Sequence, residues 1–144
     1  MKLHRLVPLA VGLAGVACAS SQLPTEPVVY SQSEAADSVL IRVAQTIVVE
    51  GIRVRFNAVE SDSRCPSDVV CVWAGDAVAQ FSVEQNCACE SPTVRLELHT
   101  TLEPKSDAAY GYRVELRQLA PYPKTSSPIR KDAYSAWIRL TRVE

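Results

Sequence analysis

From Ser38 onward, apolar residues recur at every second position. Ile52, Val54 and Phe56 alternate with Arg53, Arg55 and Asn57, and Val94, Leu96 and Leu98 with Arg95, Glu97 and His99. Tyr112, Val114 and Leu116 alternate with Arg113, Glu115 and Arg117, and Tyr134, Ile138 and Leu140 with Ser135, Trp137 and Arg139. A period of two puts one set of side chains on a dry face and the other in water, which is the pattern of a half-buried strand. No window of twelve or more residues carries a helical stripe. Further strands are expected at Val39–Val49, broken near Gln45, and at Ala77–Val83, with Glu50-Gly51 as a two-residue hairpin turn. The stretches from Glu103 to Asp107 and from Pro121 to Pro128 hold the breakers of loops. Six or seven short amphipathic strands over residues 38–144 predict an all-β domain: an antiparallel β-sandwich, immunoglobulin-like or similar, or else a small barrel.

Charge narrows the partners. Fifteen Lys and Arg stand against 16 Asp and Glu, so the chain lacks the basic footprint of a nucleic-acid binder. Two of those basic residues, Lys2 and Arg5, and one of the two histidines, His4, fall within the first five positions. Removing that stretch leaves a mildly acidic domain with His99 alone.

Residues 1–17 read as a signal peptide: a short basic start, an apolar stretch from Leu6 to Val16, then small residues. That stretch is well short of the roughly 20 residues needed to span a bilayer as a helix. Ala14-Gly15-Val16-Ala17-Cys18 resembles a bacterial lipobox, with Gly15 where leucine is usual. It implies that Cys18 is acylated and becomes the first residue; the competing cut, after Ala19, releases a soluble protein. Lipoprotein sorting as generally understood makes Ala19, next to the Cys, point to the outer membrane facing the periplasm. Residues 18–37, rich in Ser, Gln, Pro and Glu, read as a flexible tether, in which Val28-Val29-Tyr30 offers an edge strand.

Five cysteines are present, and Cys18 is the odd one out. Cys65 and Cys71, five residues apart around Pro66, most simply close a short disulfide loop in an exported protein. Cys87-Ala88-Cys89 is ambiguous. It pairs with itself, or crosswise with Cys65 and Cys71, or serves a soft metal or thiol redox chemistry. The spacing of all four is no known structural zinc pattern.

The run Asp62-Ser63-Arg64-Cys65-Pro66, four residues, then Cys71-Val72-Trp73-Ala74-Gly75 resembles the loop motif of an uncharacterised family of small exported bacterial lipoproteins, a resemblance that covers most of the chain from Ser38. It implies a secreted β-sandwich-like domain and no activity. Cys65, Cys71, Trp73 and Gly75 match that motif, whereas Cys87 and Cys89 are peculiar to this chain. Trp73 reads either as a core plug over the disulfide or as an exposed binding aromatic. Asp62 and Arg64 read as a local salt bridge holding the loop or as a functional pair. Gly75 reads as a backbone necessity. Trp137, on a polar strand face beside Arg139, is a candidate for partner contact.

Catalytic signatures are missing. His99 reads as a solvated surface residue, and no nucleophile elbow, P-loop or zinc-protease motif occurs. Asp62, Asp68, Asp76 and Glu84 have no spacing that favours a glycosidase pair. The expectation is a non-enzymatic, membrane-tethered binding or structural module of the cell envelope, without cofactor or resident metal, whose partner is an envelope protein or glycan. A metal-handling or thiol-redox protein using Cys87 and Cys89 is the first alternative. An inhibitor of a protease or other hydrolase, presenting the Cys65–Cys71 loop, is the second.

Overall fold

A computed structural model describes Val28, Val29 and residues 38–144; the expected signal peptide, Cys18 and the rest of the 18–37 segment lie outside the described residues. The described residues form nine strands, β1 (Val28–Val29), β2 (Val39–Arg42), β3 (Thr46–Val49), β4 (Ile52–Asp62), β5 (Ala77–Gln85), β6 (Val94–His99), β7 (Ser106–Ala109), β8 (Tyr112–Ala120) and β9 (Ser135–Arg142). A single 3-10 turn, Lys131–Ala133, is the one helical element among the described residues.

The strands form two sheets, ordered β1-β3-β4-β5-β6 and β2-β9-β8-β7. Every pairing is antiparallel except that of β1, which runs parallel to β3. Of the sandwiches the alternating pattern allows, this one is built of consecutive meanders, β3 to β6 in one sheet and β7 to β9 in the other. The chain changes sheet between β1 and β2, between β2 and β3, and between β6 and β7. The change from β2 to β3 falls at the expected break near Gln45. There Ala44 adopts a left-handed φ of 66°, and Gln45 bonds back to Arg42 through both its own N–H and its Oε1.

The inward set of each strand makes the core. Phe56 and Phe81 oppose one another in register and stack with ring centroids 4.9 Å apart. Ile47, Val54, Val83 and Leu98 from one sheet and Ile41, Val114, Ala136 and Ile138 from the other are sealed from water.

The expected loop from Glu103 to Asp107 needs correction, because Ser106 and Asp107 open β7. That strand lies at a sheet edge and buries only Ala109, so it has no alternation to read. What makes it a strand is pairing with β8 across the Tyr110-Gly111 turn, where both residues take positive φ, 53° and 77°. Glu50-Gly51 is a turn of the same kind, at 44° and 89°.

The registers fix which connections share an end. Asp62 opposes Ala77 and Val78 opposes His99 at one end, which therefore carries the 63–76 loop, the 100–105 crossing and the 121–134 connection. Ile52 opposes Gln85 at the other end, which carries both tight turns and the 86–93 connection.

Candidate functional site

At the loop end the charged residue Arg64 is only 5% exposed. Its Nε and Nη2 donate to the two carboxylate oxygens of Asp62 at 2.8 and 2.6 Å. Its Nη1 donates to the Leu119 carbonyl at 2.7 Å and Nη2 to the Pro121 carbonyl at 2.9 Å, and the guanidinium lies 4.8 Å from the centre of the Tyr122 ring. Tyr134 adds a hydroxyl donor to Asp62 at 3.1 Å. Burial alone would raise the Asp62 carboxyl, yet the hydrogen bonds and charge of Arg64 hold it below the usual carboxylate range. The Tyr134 hydroxyl is pushed up to about 12 by burial and by the Asp62 charge. The charges are thus fully partnered, and this cluster clamps the β4–β5 loop to the end of β8. Asp62 and Arg64 form the local ion pair of the first reading.

Beyond the clamp the loop runs as two arms joined by backbone hydrogen bonds, Ser63 N–H to the Asp76 carbonyl at 2.7 Å and Cys65 N–H to the Ala74 carbonyl at 2.8 Å. Gly75 sits inside that ladder at φ 68°; a Cβ there would lie 1.8 Å from the Ser63 carbonyl oxygen, so no other residue fits without displacement. Cys65 and Cys71 are at disulfide distance across the tip, with Cα atoms 5.9 Å apart. A second loop braces the first. The Ser67 N–H donates to the Pro123 carbonyl at 2.9 Å, and the Thr125 N–H and hydroxyl both donate to Asp68.

Trp73 is not a core plug: it is 83% exposed, and Val72 and Val70 are 90% and 101% exposed. The loop side chain buried at this end is instead Arg64. The Gly75 ladder leaves residues 72 and 73 outside its hydrogen-bonded arms. Leu102 and Tyr122 add apolar surface on the neighbouring connections, 59% and 53% exposed. Tyr122 also lines two shallow grooves, one of about 270 Å³ with Thr100, Arg117 and Gln118, and one of about 320 Å³ with Lys124, Pro128 and Ile129.

His99 needs a correction too. It is half-buried, and its Nδ1–H donates to Asp76 at 2.6 Å. The backbone N–H groups of Thr100 and Thr101 donate to the same carboxylate at 3.1 and 2.8 Å, and the Thr100 hydroxyl at 3.1 Å. Burial opposes the charged form, but donors from His99, Thr101, Leu102 and Thr100 outweigh it and bring the Asp76 carboxyl down to about 2. This carboxylate folds the β6–β7 crossing under the disulfide loop. Nothing in the sequence around Asp76 signalled that role, because its donors lie more than twenty residues away. Tyr122, between two prolines, read as part of a loop breaker and not as a site residue.

The other sequence candidates lie apart. Trp137 is half-buried on the outer face of β9, between Leu40 and Gln118 of the flanking strands. Cys87 and Cys89 are at disulfide distance from each other at the opposite end of the sandwich from Cys65 and Cys71, which excludes crossed pairing and a shared four-cysteine metal site. Glu84 pairs with Arg53 and Thr93, so the four carboxylates are engaged separately. Among the described residues, no group of three or more His, Cys, Asp or Glu is placed to hold a metal ion, and no helix is long and apolar enough to cross a membrane. No protein-family model, curated protein or solved structure matches this chain.

Proposed function

We propose that the chain is a lipid-anchored, non-enzymatic binding module of the bacterial cell envelope, held at the outer membrane through Cys18, whose loop end engages a protein partner. The observation that carries this reading is the exposure of Val70, Val72 and Trp73 on a loop fixed by a disulfide, by the Arg64 clamp and by Asp68. Apolar side chains held in water by a rigid scaffold have no use inside the fold, and a preformed loop loses little freedom on binding. Trp is also the residue most often found at the energetic centre of an interface. Exposed valines on the same loop as the ring favour a protein surface over a glycan, which would call for polar donors around the aromatic. The Ala14–Cys18 run and the DSRCP-x4-CVWAG resemblance support export and anchoring.

Affinity capture from envelope extracts with the full-length protein tests the reading. A protein retained by the wild type and lost with Trp73→Ala is the expected result; an unchanged set of captured proteins rejects the loop as the binding surface. Fatty-acid labelling that is equal in the wild type and in Cys18→Ser rejects the anchor.

A further inference from the structure

The hairpin end carries a chemistry that the binding reading leaves unused. We propose that Cys87 and Cys89 form a thiol–disulfide exchange site that takes electrons from a protein dithiol. The two residues face each other across Ala88 with Cα atoms 5.1 Å apart, and all three are exposed. Exchange requires a thiolate to reach a disulfide sulfur, and exposure is what separates labile from structural bonds.

The connection that bears the pair does not depend on it. The Gln85 N–H donates to Ser91 Oγ at 3.2 Å and the Asn86 N–H to the Gly51 carbonyl at 2.8 Å. Arg53 Nη2 donates to Asn86 Oδ1 at 3.0 Å, Thr93 Oγ1 to Glu84 at 2.7 Å, and the Tyr110 hydroxyl to the Pro92 carbonyl. These contacts grip the loop on both sides of the cysteines, so opening the bond leaves the hairpin in place and both thiols side by side. A bond that the fold does not need is not protected by the folding free energy. Cys65–Cys71 differs in access, because Cys65 is half-buried and its sulfur is harder for an attacking thiolate to reach.

The step balances within the pair and its partner. A partner thiolate attacks one Sγ, the Cys87–Cys89 bond breaks, a mixed disulfide forms, and the expelled thiolate takes up a proton. The partner's second thiol loses its proton and attacks its own sulfur in the mixed disulfide, and the cysteine leaves as a thiolate. Two electrons have then passed to the pair, which is reduced to two thiols, and the partner holds a disulfide.

The test equilibrates the full-length protein with glutathione buffers of graded reduced-to-oxidised ratio, traps thiols with a maleimide and locates them by peptide mass spectrometry. The expected result is labelling of Cys87 and Cys89 at a ratio about tenfold lower than opens Cys65–Cys71, with the melting temperature unchanged. A reduced two-cysteine peptide should be oxidised by the wild type and left reduced by the Cys87→Ser, Cys89→Ser variant. The proposal is overturned if the pair opens no earlier than Cys65–Cys71, if its opening lowers the melting temperature, or if the double variant oxidises the peptide as fast as the wild type.

Discussion

Arg64 and Asp62 stand two residues apart and meet through two charge-assisted hydrogen bonds, with side chains only 3% and 9% exposed. Two more of its five N–H groups donate to the Leu119 and Pro121 carbonyls. Removing either partner from such a pair strands the other charge without water.

Arg64→Ala should therefore lower the unfolding free energy by about 3–5 kcal/mol, since it bares the Asp62 carboxylate and two carbonyls at once. Urea denaturation of the wild type and variant measures it. A loss below about 1 kcal/mol would mean that water replaces the guanidinium and that the clamp is dispensable.

Asp76 predicts an acid limb. Its carboxyl sits at about 2 in the folded protein against about 3.9 in an unfolded chain. A depressed folded value means the contribution is complete above about pH 4 and is lost as the pH falls toward 2. Asp62, lowered as well, adds to the same limb. Asp76→Asn should be less stable than the wild type at neutral pH and should flatten the fall between pH 4 and 2. A variant whose melting temperature tracks the wild type across that window would contradict the assignment.

Gly75→Ala should cost about 1–3 kcal/mol for the left-handed backbone alone, and more because the new methyl meets the Ser63 carbonyl oxygen. Differential scanning calorimetry that finds no change would show that the two arms separate without penalty.

Trp73→Ala should change stability by less than about 0.5 kcal/mol, as exposed positions do. Cys65→Ser with Cys71→Ser should cost about 2 kcal/mol, the closure term of a small loop. The effects should add, because the ring does not rest on the disulfide. Chemical denaturation of the three variants decides; strong coupling between them would return the ring to the interior.

The sandwich was legible because its strands bury one face each, and alternation is a local signal. Ile52 to Phe56 and Val94 to Leu98 could be read without knowing what they pack on. β7 escaped because Ser106, Asp107 and Ala108 owe their conformation to β8 rather than to their own burial. At the loop end the motif from Asp62 to Gly75 stood out; Gly75 read as a backbone necessity, while the Asp62–Arg64 pair stayed open between a local ion pair and a functional pair. The exposure of Trp73 was not legible. Nor was the burial of Arg64, because it rests on carbonyls at Leu119 and Pro121, more than fifty residues along the chain. The Asp76 turn is hidden in the same way, its donors arriving from the far side of β6.

The two residues of β1 occupy a position out of proportion to their length. They cover the outer edge of β3, whose Ile47, Val48 and Val49 are all buried. A chain cut to begin at Ser38 would keep the sandwich and lose that cover, leaving a row of unpaired N–H and C=O groups along a β-branched strand. Such an edge recruits a strand from another molecule. Shortened at its natural-looking boundary, the protein should therefore self-associate with concentration. Versions prepared for crystallisation or display should begin upstream of Val28.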